Sequence, residues 1–150
     1  MSELALLLPL LPLLIAAAID LKTREIPDWV SVILLLIAFW AASGGILNIR
    51  WWMVGTGLVI GLIVGFSMFR YAAFGGGDAK CIAGLGAVLG PAGIWFFLFW
   101  MALAGGVLAL IAKIRGQRDY AYGPAILLGY IGYLLYPADI WSTLRGLMTY

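Results

Sequence analysis

Two of the seven acidic residues in this chain stand out by their position. Asp20 follows Ala-Ala-Ala-Ile at the end of the first apolar run, and Asp78 follows three consecutive glycines at the start of a later, short apolar run. Ionisable side chains placed against apolar helices are energetically costly, so residues of this kind are functional candidates by default.

A pair of carboxylates can hydrolyse a peptide bond with the help of one water molecule. The ionised carboxylate takes a proton from the water, and the protonated one donates to the carbonyl oxygen and later to the leaving amine. Two carboxylates at close range do not both ionise easily, so they would share one proton. Any titration would then belong to the pair rather than to one residue.

Other common catalytic groups are absent from the chain, which contains no histidine and a single cysteine, Cys81. The lack of histidine removes Ser-His-Asp and Cys-His nucleophiles, HExxH metalloproteases and imidazole metal sites. One cysteine allows neither an internal disulfide nor a four-cysteine zinc site. Chemistry must therefore come from carboxylates, Lys, Arg, hydroxyls or a bound ion, and we expect no metal site and no cofactor.

Each aspartate also has an ordinary structural interpretation. Asp20 could simply end a helix beside Lys22 and Arg24. Asp78 could be an N-cap, because aspartate is favoured there and interacts well with the helix dipole. A glycine-rich turn before a helix could also bind phosphate, but Asp78 would repel a phosphate and no Gly-Lys-Ser/Thr follows.

The composition indicates that the solvent of this chain is lipid. Hydrophobic residues make up 65% of its 150 residues and charged residues only 11%, whereas soluble domains carry roughly a quarter charged residues. The mean hydropathy is +1.08. We therefore predict an all-α fold, a polytopic membrane helical bundle that forms a single integral membrane domain over residues 1–150.

Hydropathy divides the chain into about six transmembrane segments, at 4–19, 29–47, 51–69, 79–90, 93–112 and 123–136. The fourth and sixth are short, since a span needs ~20 residues, and short helices require protein or a hydrated cavity around their ends. We expect these two to border a hydrated site. An alternative count fuses the fourth and fifth segments, which Pro91 separates, into one broken helix.

Basic residues predict the orientation in the membrane. With six spans, one side holds Lys22, Arg24, Arg70, Lys80, Lys113, Arg115 and Arg118, and the other holds Arg50 and Arg145. The positive-inside rule then makes the first side cytoplasmic, with both termini outside. The first segment has no basic n-region, so we expect a retained helix rather than a cleaved signal peptide. Helical spacing of apolar residues over 138–148 favours a short surface helix, with a frayed tail as the alternative.

Three segments resemble, in the right order, motifs of the type IV prepilin peptidase and preflagellin peptidase family, whose members are Gly-x-Gly-Asp intramembrane aspartyl proteases. Residues 19–28 read Ile-Asp-Leu-Lys-Thr-Arg-Glu-Ile-Pro-Asp, which resembles an aspartate followed by a basic stretch and Ile-Pro-Asn. Residues 74–80 read Phe-Gly-Gly-Gly-Asp-Ala-Lys, and residues 122–126 read Tyr-Gly-Pro-Ala-Ile, like a Gly-Pro segment that opens a late helix. The resemblance covers essentially the whole chain.

The resemblance implies that Asp20 and Asp78 are the catalytic pair of an aspartyl endopeptidase. It also implies a substrate, a prepilin or preflagellin precursor whose short basic leader is cut at the cytoplasmic face of the inner membrane. The small size suggests the short form associated with Flp/Tad-type pili, or an archaeal preflagellin-type relative. Residues expected to support the pair or shape the cleft are Arg24, Ile26, Pro27, Gly75, Gly77, Lys80, Gly123 and Pro124.

Three of these expectations carry alternatives or departures from the family pattern. Lys80 could hold Asp78 ionised, orient an acidic group on the substrate, or simply be a basic flank of the membrane. Asp28 stands where the family has asparagine after Ile-Pro. The larger bacterial relatives carry a cytoplasmic segment with paired Cys-x-x-Cys and also N-methylate the mature pilin, and since this chain has no such segment we expect peptidase activity without methylation.

Other classes of function remain open at this stage. The two aspartates could serve as a proton or cation relay in a small ion or solute transporter, although the two halves of the chain show no convincing inverted repeat. The chain could also be a non-catalytic subunit of a pilus or secretion machine, or a presenilin-like intramembrane protease. The expected partners are the precursor substrate and the lipid bilayer, with no nucleic acid, and the sequence leaves the oligomeric state open.

Overall fold

The computed structural model describes residues 6–44, 49–71, 75–116 and 121–135. These residues form five helices and no strand, so the prediction of an all-α fold is confirmed. The helices are α1 (Leu10–Thr23), α2 (Asp28–Gly44), α3 (Trp51–Tyr71), α4 (Gly76–Ile114) and α5 (Gly123–Leu135). The surface helix expected at 138–148 lies outside the described residues.

Helix α1 begins later and ends later than hydropathy predicts. Pro9 is its N-cap, so the helix starts after the proline rather than at residue 4. At the other end it continues through Asp20 to Thr23. Arg24 then adopts a left-handed conformation, with φ 59° and ψ 29°, and its N–H donates to the carbonyl of Asp20 at 2.8 Å. This cap places the Asp20 side chain in the last turn of the helix.

Helix α4 contains a sharp break at Gly90, where φ is 72° and ψ is −179°. This backbone region is essentially restricted to glycine. Pro91 follows at once, and its ring removes the N–H group that would continue the helical hydrogen bonds. The predicted fourth and fifth segments are therefore joined without a loop, and the break falls at the Gly-Pro step that separates them in the sequence.

The first half of α4 packs antiparallel to α3 through a row of glycines. A Cβ atom added to Gly61 would lie 2.8 Å from the Cα of Ala83, and one added to Gly65 would lie 2.6 Å from the carbonyl oxygen of Ala79. Gly57, one turn earlier, approaches the carbonyl of Gly86 in the same way. Small residues four apart allow two backbones to approach this closely, so α3 and the first half of α4 are in direct backbone contact.

The second half of α4 packs antiparallel to α5. Gly93 lies against Tyr133 near the end of α5, and Gly105 lies against Ala125 near its start. The start of α5 also contacts Ala17 of α1 through Gly123. The last turns of α4 therefore lie at the end of the bundle where α1 terminates.

The chain reverses direction at Gly90. Ile26, just after α1, contacts Gly77 at the start of α4, so the start and the last turns of α4 lie at the same end of the bundle. Gly90 lies at the opposite end, beside Met53 at the start of α3. Because the break at Gly90 divides α4 in two, the five described helices form six helical segments, and the segment 76–89 is short. That each segment spans a membrane remains a prediction.

The outward faces of the bundle are strongly apolar. Large hydrophobic side chains that are about half exposed or more occur on every described helix, and examples are Leu11, Leu36, Ile63, Phe66, Phe99, Leu110 and Leu135. Contiguous apolar surface of this kind is a liability in water. Among the described helices, α3 and α4 are long and apolar enough to cross a membrane. Together these features indicate a membrane protein.

Candidate active site

Asp20 is buried at the junction of α1 and α5. Its side chain is 2% exposed, and its Oδ2 atom accepts a hydrogen bond of 2.6 Å from the N–H of Gly123. Gly123 is the first residue of α5, and the first N–H groups of a helix have no partner within the helix. The hydrogen bond therefore satisfies two buried polar groups at once.

Glycine is required at position 123 because the carboxylate lies directly against it. A Cβ atom added there would be 2.8 Å from the Cβ of Asp20 and 2.9 Å from its Oδ2. It would also lie 3.2 Å from the Cα of Ala17. The residue after it, Pro124, occupies the first turn of α5, where the missing N–H of proline costs nothing.

Asp78 is buried in the first turn of α4, where its side chain is 5% exposed. The N-cap of the helix is Gly75, not Asp78. The carboxylate instead reaches back from the third helical position, and its Oδ2 accepts a hydrogen bond of 3.1 Å from the N–H of Gly75. The Oδ1 atom is buried and has no hydrogen-bond partner among the described residues, so this oxygen is free to bind another polar group.

The two carboxylates lie at the same end of the bundle, because Ile26, six residues beyond Asp20, contacts Gly77, the residue before Asp78. They come from different helix pairs, because Asp20 is held at the contact of α1 with α5 whereas Asp78 opens the half of α4 that packs on α2 and α3. The structure thus brings together the two residues that the sequence singled out. The third motif also reaches this end of the bundle, because Gly123 donates a hydrogen bond to Asp20.

The Ile-Pro segment contacts the glycine motif directly. Ile26 is buried and its carbonyl oxygen lies against Gly77, where any Cβ atom would overlap it. Pro27 is half-buried, and its carbonyl accepts a hydrogen bond of 3.1 Å from the N–H of Val30 in the first turn of α2. The first and second motifs are therefore in contact, as their assignment to a single site requires.

Lys80 pairs with Asp28 in this structure. Its Nζ atom lies 2.8 Å from Oδ1 and 2.7 Å from Oδ2 of Asp28, and both side chains are exposed. Asp28 is the residue at which the chain departs from the Ile-Pro-Asn pattern, and in this structure its carboxylate has a basic partner. Sequence reasoning missed this pair, although the opposite charges of the two motif residues were a signal for it.

Two further residues near the site have structural roles. The side chain of Arg24 is exposed, and its left-handed backbone ends α1 immediately after Asp20. Cys81, one helical turn from Asp78, is fully buried within the hydrophobic core, which fits packing rather than nucleophilic chemistry. Within the described part of the chain, no three acidic or cysteine side chains cluster in a way that could hold a metal ion.

The fold and the site define a class of protein, a helical membrane protein with two buried carboxylates at one end of its bundle. Residues 7–110 match the type IV leader peptidase family. The chain belongs to this family, as its three motifs predicted.

Curated relatives are similar over most of this chain. It is 25% identical over 146 residues to a prepilin leader peptidase/N-methyltransferase of Neisseria gonorrhoeae, covering 88% of this chain and 48% of the relative. It is 29% identical over 140 residues to the protein of the same name in Bacillus subtilis, covering 87% of this chain and 54% of the relative.

An archaeal relative is similar over a shorter region. A preflagellin peptidase of Methanocaldococcus jannaschii is 37% identical over 81 residues, covering 51% of this chain and 34% of the relative. The chain thus spans about half the length of the two bacterial relatives and about a third of the archaeal one. No solved structure matches it significantly.

Proposed function

We propose that this chain is a membrane-embedded aspartyl endopeptidase. Its substrate is a prepilin-like or preflagellin precursor, from which it removes the short basic leader at the cytoplasmic membrane face. The observation that carries the proposal is that Asp20 and Asp78 are both buried at the same end of the bundle. Membership of the type IV leader peptidase family supports the substrate class.

The reaction needs one water molecule between the two carboxylates. One carboxylate accepts a proton from the water while the oxygen of that water attacks the scissile carbonyl carbon. The other donates its proton to the carbonyl oxygen, and a proton is then transferred to the amine as the carbon–nitrogen bond breaks. The unpaired Oδ1 of Asp78 supports this scheme, because a buried oxygen without a partner is a position where water or substrate gains a hydrogen bond.

The substrate would enter between α1, α4 and α5. A closed helix hides its peptide bonds, so the leader and the first apolar turn of the precursor must unwind before cleavage. Both aspartates are almost fully buried, so the cleft has to open for a peptide to reach them. Gly76, where an added Cβ atom would meet only the Phe69 ring at 4.0 Å, leaves room for a peptide strand beside the backbone.

Charge supports a cytoplasmic position for the site. Of the described basic residues, those at the end of the bundle that carries Asp20 and Asp78 are Lys22, Arg24, Arg70, Lys80, Lys113 and Arg115. Arg50 lies at the other end, before α3. An excess of Lys and Arg marks cytoplasmic loops. We therefore propose six spans in the inner membrane, forming a single peptidase domain with its active site facing the cytoplasm.

The test is a cleavage assay in detergent or lipid with a panel of prepilins and preflagellins. We expect loss of a short basic leader, detected by mass, and a fall in rate of at least about 100-fold in Asp20→Asn and in Asp78→Asn, since general acid–base groups contribute this much. Both variants keep the size of the side chain, and their unfolding temperatures report whether they fold.

Glu25→Gln is the matched control for loss of one carboxylate. Glu25 lies on the same segment but is exposed, so this variant is expected to cleave at close to the rate of the parent protein. Substantial cleavage by either folded aspartate variant would exclude the paired-carboxylate mechanism.

A further inference from the structure

The connection between α1 and α2 is held at two points against the first turn of α4. The carbonyl of Ile26 lies against Gly77, and Asp28 receives both of its carboxylate contacts from Lys80 at 2.7 and 2.8 Å. Lys80 is two residues beyond Asp78, and the connection begins four residues beyond Asp20. The two contacts therefore join the segments that carry the two aspartates.

This joint matters because the two aspartate-bearing helices have different packing partners. Helix α1 packs mainly on α5, whereas the first half of α4 packs on α3 and α2. The separation of Asp20 and Asp78 is thus not set by extensive packing of α1 on α4. It depends on the packing of α1 on α5 and of α5 on the second half of α4 on one side, and on the connection between α1 and α2 on the other.

We propose that Asp28 and Lys80 are positioning residues whose ion pair sets the relative placement of Asp20 and Asp78. The pair touches neither reacting carboxylate. It holds the start of α2, and with it Ile26, against the turn that bears Asp78. The role in catalysis rests on the proposed function, whereas the mechanical role of the pair does not.

The exposure of the pair determines the size and character of its effect. Lys80 is 56% and Asp28 is 68% exposed, and exposed ion pairs shift equilibria by about 1.5- to 5-fold. Salt screens such pairs strongly, because the Debye length falls to about 3 Å at 1 M. A positioning effect through this pair should therefore be modest, lower kcat rather than raise KM, and fade at high salt.

The first experiment compares Asp28→Asn, Lys80→Gln and the exchanged double variant Asp28→Lys with Lys80→Asp in the cleavage assay. Each single variant should lower kcat about 2- to 5-fold at low salt with KM unchanged, and 1 M salt should remove most of the difference. The exchanged variant should recover more than half of the loss. Lys113→Gln, which removes an exposed lysine at the same end of the bundle, should leave kcat unchanged.

Several outcomes overturn the proposal. They are unchanged kcat in both single variants, an exchanged variant no better than the product of the single losses, and a loss that appears in KM, which would mean that these side chains contact the precursor directly. A loss that persists at 1 M salt would also contradict an exposed ion pair as its source.

A second readout does not depend on cleavage. Spin labels on Leu21→Cys and Tyr71→Cys, in a Cys81→Ala background, would report the distance between the ends of α1 and α3, where both parent side chains are exposed at 67% and 85%. Asp28→Asn should broaden this distance distribution, and the exchanged pair should narrow it again. If the protein cleaves no precursor but shows this pattern, the proposed function is wrong and the mechanical role of the ion pair is supported. Unchanged distributions in a cleaving protein exclude the mechanism alone.

Discussion

The contact between Asp20 and Gly123 joins residues 103 positions apart, through a single hydrogen bond from the backbone N–H of Gly123 to the carboxylate of Asp20. Its partner atoms were visible in the sequence only as an aspartate and a Gly-Pro step. The structure explains why the step begins with glycine, since the carboxylate occupies the space of the missing side chain. Gly123 is therefore a residue that positions Asp20 for the proposed reaction.

Gly123→Ala should lower cleavage by about 10- to 100-fold. The added methyl group overlaps the Cβ and Oδ2 atoms of Asp20, and misplacing a catalytic group by about 1 Å can cost 10²-fold in rate. The measurement is kcat with a cleavable precursor. Gly106→Ala is the control, because an added Cβ there meets nothing within 4 Å, and equal rates in the two variants would show that the contact is irrelevant to catalysis.

Lys80 and Asp78 illustrate where residue-level expectations stopped. Lys80 was a candidate for holding Asp78 ionised, but its ammonium group binds Asp28. Asp78 was a candidate N-cap, but it lies at the third helical position and accepts from the N–H of Gly75. In both cases the sequence singled out the residue but did not identify its partner. The partner depends on which polar groups lie nearby in the folded chain.

Among the elements, the close packing of α3 on the first half of α4 depends on the glycines of α3. Gly57, Gly61 and Gly65 are all buried against the facing backbone. Their four-residue spacing places them on one face of α3, and the structure shows that this face packs antiparallel to the first half of α4. The close approach lets the short half of α4 pack beside a full-length helix with no intervening side chains.

Gly61→Ala should destabilise the protein by about 1 to 3 kcal/mol, the usual cost of overpacking. The new methyl group would lie 2.8 Å from the Cα of Ala83 and from the carbonyl oxygen of Ile82, and would force the helices apart. Gly55→Ala, on the same helix with nothing within 4 Å of the added Cβ, should be neutral or stabilise the helix by up to about 1 kcal/mol. Unfolding in mild detergent measures both. Equal stabilities in the two variants would contradict close packing at Gly61.

In the molecule as a whole, the reversal at Gly90 brings the two termini of α4 to the same end of the bundle. The start of α4 and its last turn lie at one end with both aspartates, while Gly90 lies at the other end near Met53. The basic residues of the described chain divide along the same axis, six to one. This division carries the proposed orientation in the membrane.

Single cysteines in a Cys81→Ala background test that orientation. Arg50→Cys and Lys22→Cys each remove one exposed positive charge, from opposite ends of the bundle. A membrane-impermeant maleimide added to spheroplasts should label Arg50→Cys at once, and Lys22→Cys only after permeabilisation, because the positive-inside rule predicts that the lysine-rich end faces the cytoplasm. The reverse pattern would place the active site on the outer face.

The helical class, the approximate helix positions and the choice of Asp20 and Asp78 as site candidates could all be predicted from the sequence. These follow from local properties, since hydropathy over ~20 residues and a carboxylate beside an apolar run can be read without knowing what they contact. The structure was needed to show that the chain reverses at Gly90 without a loop, that Gly123 donates to Asp20 and that Lys80 pairs with Asp28. The last two join residues 103 and 52 positions apart. Their partners are set by how the helices pack in three dimensions, which no local pattern along the chain specifies.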